Sequence, residues 1–349
     1  MSTGGKAARA AIVAALSAML VTVSPAESGA CACGAFVADD KLSAQQETAL
    51  VDLTGRTESI TLSVLARSSA DEAAFLMPVP ARARFEVADA DLFAELDEIS
   101  KPDVEVRQVE VDGDGAGGAA PGGSGATVVD HVEVGPFDVA QLTGTDAGAV
   151  TDWLGDNGFT MPEDLSGALT PYLAEGWLVV AVRLAPSSGN LEEGLPPMRL
   201  SFETDTPVYP MRLSATAEDV QPLRLYVLAD HRTDIGNPAP DGAAPELTFA
   251  GPVEPGAGHP VLSEMLPGKR FLTRYDGEFA PDLIEDDIRI TTAASDEPYR
   301  ATVVVTEYVT SSWTAEVLAV IALLAAAVAV VVVAVVVLRR RRSRVDVRS

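Results

Sequence analysis

The chain has 349 residues, with 25 Lys and Arg against 51 Asp and Glu, for a formal net charge of −26. Hydrophobic residues make up 47% of it, enough for a packed core, which excludes a disordered acidic tail. The acidity excludes a nucleic-acid binder, because a phosphate backbone would be repelled.

At the N-terminus, Lys6 and Arg9 precede a largely apolar run over 10–23. Ser24-Pro25-Ala26 and Ser28-Gly29-Ala30 then offer small residues at −3 and −1 of a cleavage point. This is the pattern of a signal peptide, read over 1–30. The apolar run would rise only about 21 Å as a helix, less than the roughly 30 Å of a bilayer core. Cys31 and Cys33, the only cysteines, follow at once. Cys31 stands where a lipidated cysteine would stand, although Ser28 replaces the aliphatic residue of a lipobox. A Cys31–Cys33 disulfide would close a very small ring, and the spacing leaves both chemistries open.

Residues 59–67 (SITLSVLAR) alternate and are rich in branched side chains, which predicts a strand. The short apolar run 73–80 (AAFLMPVP) predicts a second. Over 89–100, Leu92, Phe93, Leu96 and Ile99 form a helical face stopped by Lys101-Pro102. Residues 104–111 (VEVRQVEV) alternate as a half-exposed strand. The stretch 112–126 holds seven glycines and reads as a flexible loop. Residues 127–134 (TVVDHVEV) resume as strand, so the pair around the loop reads as one long hairpin.

Helices are expected over 146–154 and 162–174, and strands over 177–184, 198–203, 208–215 and 223–229. Residues 236–244, rich in Pro, Gly and Ala, read as a surface loop, and 260–266 as a short helix. The pattern over 271–275 fits strand and helix alike. Strands over 287–294 and 299–309 close the domain. Strands with a few interspersed helices give an α+β class, a β-rich extracytoplasmic domain over 31–316.

Residues 317–338 consist only of Val, Ala, Leu and Ile. As a helix that run rises about 33 Å, enough to span a bilayer, and lipid demands a helix because the backbone must satisfy its own hydrogen bonds. Arg339 to Arg342 and Arg344 mark the tail, 339–349, as cytoplasmic. Six arginines against Asp346 give this tail +5, and Lys6 and Arg9 against Glu27 give the leader +1, so the outer domain carries −32. The expected location is therefore the cell membrane, with a single pass and the lipid bilayer as a partner.

The chemistry is sparse. Gly113-Asp114-Gly115-Ala116-Gly117-Gly118 matches GxGxxG, but Ala119 to Gly123 cannot open the helix that would hold a pyrophosphate. Asp112 and Asp114 resemble the start of a calcium loop, but the twelfth position is Gly123 rather than Glu. The sequence has no GKS or GKT loop, no HExxH and no GxSxG. Asp230, His231 and Asp234 form the one compact set of metal-capable residues, at the end of an expected strand, where a polar turn explains them as well. Adjacent acids such as Asp39/Asp40 and Asp286/Asp287 suit acid–base work but are expected by chance among 51 acids.

Several segments in order carry a family resemblance. They are Cys33-Gly34-Ala35-Phe36, Ala74-Phe75-Leu76-Met77-Pro78-Val79-Pro80, Asp91-Leu92-Phe93-Ala94-Glu95-Leu96, Tyr209-Pro210-Met211-Arg212-Leu213-Ser214 and Leu223-Arg224-Leu225-Tyr226-Val227-Leu228-Ala229. Together they resemble the bacterial domain-of-unknown-function family numbered 2330, over about residues 31 to 310. The resemblance implies a secreted or membrane-tethered bacterial protein and supplies no activity, cofactor or catalytic residue. The expected function is a non-enzymatic binding or interaction module of the cell envelope, its partner an envelope protein or ligand. Two alternatives stand beside it: an envelope enzyme using carboxylates and His231, and a membrane sensor acting through a partner, since the eleven-residue tail holds no catalytic domain.

Overall fold

A computed structural model describes residues 27–31, 33–38, 43–67, 72–111, 137–184, 196–256 and 258–310, and the helical residues 319–328, 330, 331 and 335. In chain order the elements begin with β1 (Glu27–Cys31), β2 (Gly34–Ala38), β3 (Ser43–Thr54), β4 (Thr57–Arg67), β5 (Ala73–Val79), β6 (Arg84–Val87), α1 (Leu92–Ser100) and β7 (Asp103–Val111). Then come β8 (Phe137–Leu142), α2 (Gly148–Asp156), α3 (Glu163–Ala174), β9 (Leu178–Leu184), β10 (Met198–Glu203) and β11 (Val208–Tyr209). After a 3-10 turn at Arg212–Thr216 follow β12 (Gln221–Ala229), β13 (Thr233–Ile235), β14 (Glu246–Val253), α4 (Pro260–Met265), β15 (Arg270–Phe279), β16 (Ile288–Thr292), β17 (Tyr299–Arg300) and β18 (Thr302–Thr310). The α+β class holds: the protein is β-rich with a few short helices.

The chain divides into two units. The first, Met1–Ser100 with His131–Tyr299, is built in layers. A five-stranded sheet runs β1-β2-β5-β9-β8, and a larger one contains β14-β15-β12-β3-β4-β10-β6. Strand periodicity explains how they stack. In β5, Phe75 and Met77 join one core cluster while Ala74 and Leu76 join another. Val180 and Val182 of β9 split from Val179 and Ala181 in the same way. The first cluster also takes Ala49, Val51, Ile60, Leu62, Leu200, Leu225 and Val227 from the larger sheet, so it fills the space between the sheets. The second packs the outer face of the small sheet against α2 and α3, through Val150, Leu154, Leu165, Leu169 and Leu173. A third packs the outer face of the large sheet against α1 and α4, through Leu92, Leu96 and Leu262. Buried side chains of this kind stabilise by roughly 1.5–3 kcal/mol each.

The β3–β4 hairpin turns in two residues, since Thr54 pairs with Thr57 and Gly55 takes φ +63, a conformation that glycine adopts without Cβ strain. In the large sheet β12 pairs in parallel with β3. A small sheet, β11-β16-β13, adjoins the cleft described below.

The second unit, Lys101–Asp130 with Arg300–Ser349, contains β7 paired in parallel with β18. This pairing differs from the expected β7 hairpin, whose second strand, 127–134, lies outside the described residues, as does the loop 112–126. Val104 and Val106 face their register partners Val303 and Val305, and all four are exposed. Of the expected span 317–338, the described positions are helical. Among the described residues no helix is long and apolar enough to cross a membrane.

Other differences have local causes. Residues 27–30, read as the end of the leader, form most of β1, which pairs in antiparallel register with β2; residues 1–26 lie outside the described residues. The strand expected over 208–215 stops at Tyr209. Pro210 has no N–H to give a ladder, and the next two amides turn toward a buried carboxylate instead. The ambiguous 271–275 is the middle of β15, paired on both sides.

Candidate functional site

A cleft of about 340 Å³ lies where Pro80 follows β5, Glu175 follows α3 and β11 begins at Val208. Trp177, Thr204, Thr206, Arg212 and the turn Asp286–Asp287 with Arg289 complete its walls. The volume falls within the range of small-ligand sites.

Asp287 organises the cleft. Its side chain is only 5% exposed, at the entry to β16. Oδ1 accepts the Tyr172 hydroxyl, the Met211 amide at 2.7 Å and the Arg212 amide at 3.1 Å. Oδ2 accepts Arg212 Nε at 3.0 Å. The fork of Arg212 closes on Glu175, Nη1 to Oε1 at 2.7 Å and Nη2 to Oε2 at 3.2 Å. The guanidinium lies 3.9 Å from the Tyr172 ring centroid, and Tyr172 packs on Trp177 at 5.0 Å. Arg212 is thus held in one plane by two carboxylates and one ring, the geometry in which arginine is most rigid.

Protonation follows from these contacts. Burial and then the Asp287 charge push the Tyr172 phenol well above its ordinary range, so it stays a donor. Burial alone would lower the Arg212 guanidinium, but Glu175 and Asp287 outweigh it and hold it above its usual value. Two further acids lie behind the wall. Tyr209 donates its hydroxyl to Glu47, and the Val208 amide donates to Glu58 Oε2 at 3.2 Å. Burial pushes the Glu58 carboxyl up to about 8, opposed only by that amide.

Of the acidic pairs noted in the sequence, Asp286/Asp287 lies in this cleft and Asp39/Asp40 falls outside the described residues, whereas the metal-capable residues lie elsewhere. Asp230, 79% exposed, pairs with Arg270 at 3.1 Å. His231 Nδ1 lies 2.8 Å from Asp296 on the surface, and its pKa is raised by that hydrogen bond. Asp234 is exposed on β13. The three do not converge, and among the described residues no group of three or more His, Cys, Asp or Glu is arranged to hold a metal ion. Cys33 is 1% exposed, in the core between the sheets. Cys31 lies on β1 opposite Gly34, and its side chain is outside the described residues.

Tyr172, Glu175 and Asp287 carry no local motif. The sequence holds one signal: Arg212 is a charge inside the apolar run Tyr209–Ser214, which is hard to bury without partners. Glu58 also shares the alternation of Ile60 and Leu62, which face the core.

No curated protein matches the chain. Among solved structures, the crystal structure of baculovirus P35 aligns over 72% of this chain and 92% of its own, with 8% identity and a TM-score of 0.34, too low for a shared fold to be read from it. A family model described as an uncharacterized protein conserved in bacteria matches residues 27–291. That stretch runs from β1 through every residue of the cleft, and the chain belongs to this family, DUF2330.

Proposed function

We propose that the protein is a single-pass, membrane-anchored extracytoplasmic module of the bacterial cell envelope that binds a ligand or partner in the Arg212 cleft without transforming it. The observation that carries this reading is the prior engagement of the cleft's charges. The Asp287 oxygens already accept four donors, and each terminal nitrogen of Arg212 is held by Glu175. Groups tied in this way present a rigid surface, whereas a general base needs a lone pair facing the substrate. Thr206, Asp286, Arg289 and the indole of Trp177 remain at the wall. They suit a ligand that both donates and accepts hydrogen bonds and offers a flat face for stacking.

The membrane anchor is supported by the unbroken apolar composition of 317–338 and the five arginines after it. Apolar side chains of the described helical residues, such as Leu323 at 71% and Val330 at 68% exposure, call for a nonpolar surrounding. The leader supports export.

Two measurements test the reading. In intact cells expressing the full chain, an external protease is expected to digest the 31–316 domain and spare an epitope on the tail; protection of the domain would sink the topology. Panels of short saccharides and peptides, titrated while following tryptophan emission, are expected to give a signal that Trp177→Phe removes. A binder whose signal survives that change and also survives Arg289→Ala occupies another site.

A further inference from the structure

The strip from Val208 to Arg212 walls the cleft, and three buried acids from three places in the chain hold it. Asp287 takes the Met211 and Arg212 amides, Glu47 the Tyr209 hydroxyl, and Glu58 the Val208 amide. Glu58 meets the strip through one backbone amide alone. The residue is 0% exposed, and its Oε1 has no hydrogen-bond partner among the described residues. It points into the space between the sheets, in the same alternation as Ile60 and Leu62. As an ion it would have a single N–H for two oxygens, in an apolar surrounding that strongly disfavours such a charge.

Charges on the neighbouring elements are engaged elsewhere, beginning with Glu47 of β3, which is buried on the same core face and takes the Tyr209 hydroxyl. Asp52 of β3 faces Arg199 and Arg270, and Glu203 of β10 takes the Thr57 hydroxyl. Arg56 and Asp205 pair with each other, Asp287 pairs with Arg212, and Arg289 of β16 lies beside Asp286. None of these acts on the Glu58 proton, which burial retains and only the Val208 amide opposes.

We propose that Glu58 is a proton-operated latch on the cleft: the neutral carboxyl fits the core and holds Val208 at the wall, and the ionised one is driven toward water and releases the Val208 end of the strip, while Asp287 keeps Met211 and Arg212 in place. The latch regulates the site and so rests on reading the cleft as a binding site. An extracytoplasmic domain meets ambient pH directly, which makes proton release there a usable signal. The folded carboxyl keeps its proton up to about 8, against an ordinary value of 4.5. Its contribution to stability is therefore whole below the ordinary value, declines as pH rises, and is gone once pH has passed the folded value.

The test uses the full-length chain without ligand. Difference infrared titration of the wild type is expected to show a protonated carboxyl band at neutral pH that disappears near pH 8 and is missing in Glu58→Gln. Amide exchange at Val208, relative to Leu225 and Val227 in β12, is expected to accelerate by up to about tenfold per pH unit between the ordinary carboxyl value of 4.5 and about 8 in the wild type, and to level off above it. In Glu58→Gln the relative rates stay flat. The proposal is overturned if no carboxyl titrates near pH 8, or if Glu58→Gln accelerates as the wild type does. Should Glu58→Gln not fold, the wild-type infrared titration decides alone. No ligand enters these measurements, so a latch that fails leaves the binding reading standing, and a cleft that binds nothing leaves the latch standing.

Discussion

Replacing Asp287 by Asn keeps the shape of the side chain and removes its charge. One oxygen remains for the Tyr172 hydroxyl and the Met211 and Arg212 amides. The new amide group then meets Arg212 Nε, donor against donor, at a separation now 3.0 Å. A hydrogen bond to a charged group is worth about 1.5–3 kcal/mol, and breaking a buried ion pair costs roughly 3–5 kcal/mol. Because Arg212 keeps Glu175 as a partner, the lower end applies, about 3 kcal/mol. For a domain of this size that corresponds to a fall in thermal midpoint of about 6–12 °C. Tyr172→Phe deletes one donor and leaves the ion pair, for about 1 kcal/mol. Glu175→Gln loosens a pair whose acid is 49% exposed, for less than about 1 kcal/mol. Thermal unfolding of the full-length chain, followed by circular dichroism, gives all three midpoints. The order Asp287→Asn, then Tyr172→Phe, then Glu175→Gln is the prediction. Midpoints for all three within about 1 °C of one another, or Asp287→Asn as the mildest, would refute the claim that Asp287 organises the cleft.

Further changes probe other parts of the fold. Glu95 of α1 accepts the amides of Val261 and Leu262 at 3.1 and 2.8 Å, so Glu95→Ala is expected to cost about 1–2 kcal/mol and to speed amide exchange in α4 before the rest of the domain. A Cβ at Gly34 would lie 2.5 Å from the Leu76 carbonyl oxygen and 2.7 Å from the Phe75 ring, so Gly34→Ala is expected to lower the midpoint by several degrees; an unchanged midpoint contradicts the close β2–β5 packing. His231 is expected to titrate above its ordinary 6.5 by NMR, and Asp296→Asn to bring it back down. Any stability it adds is present at low pH and lost as pH rises through the folded value.

The sequence revealed strands where chemistry and burial agree. Strand β5 (AAFLMPV) and strand β9 (LVVAVRL) are buried on both faces and read as plain apolar runs. Helix α1 was legible because Leu92 and Leu96 repeat at helical spacing. Strand β3 (SAQQETALVDLT) was missed because polar groups interrupt both of its faces, and one of them, Glu47, is buried against Tyr209. Strand β14 (ELTFAGPV) was hidden by its Gly, its Pro and a bulge between Leu247 and Phe249. The site was harder still. Asp287 looks like any other acid until the fold brings it to Tyr172, 115 residues away in sequence. Periodicity reports which face a residue occupies and is silent about which distant residue it meets.

The parallel pairing of β12 with β3 sets when this protein can acquire its larger sheet. Strand β3 has its hairpin partner β4 at once, but its other edge stays bare until residues 221–229 have been made. The sheet then needs β15 and β14 to continue outward from β12, and the cleft wall needs Asp287. Loop closure over such separations is slow and leaves strand edges open in the meantime. A nascent or truncated chain ending short of β12 is therefore an aggregation hazard rather than half a domain, and the bare edge of β3 is where a holding chaperone would have to act.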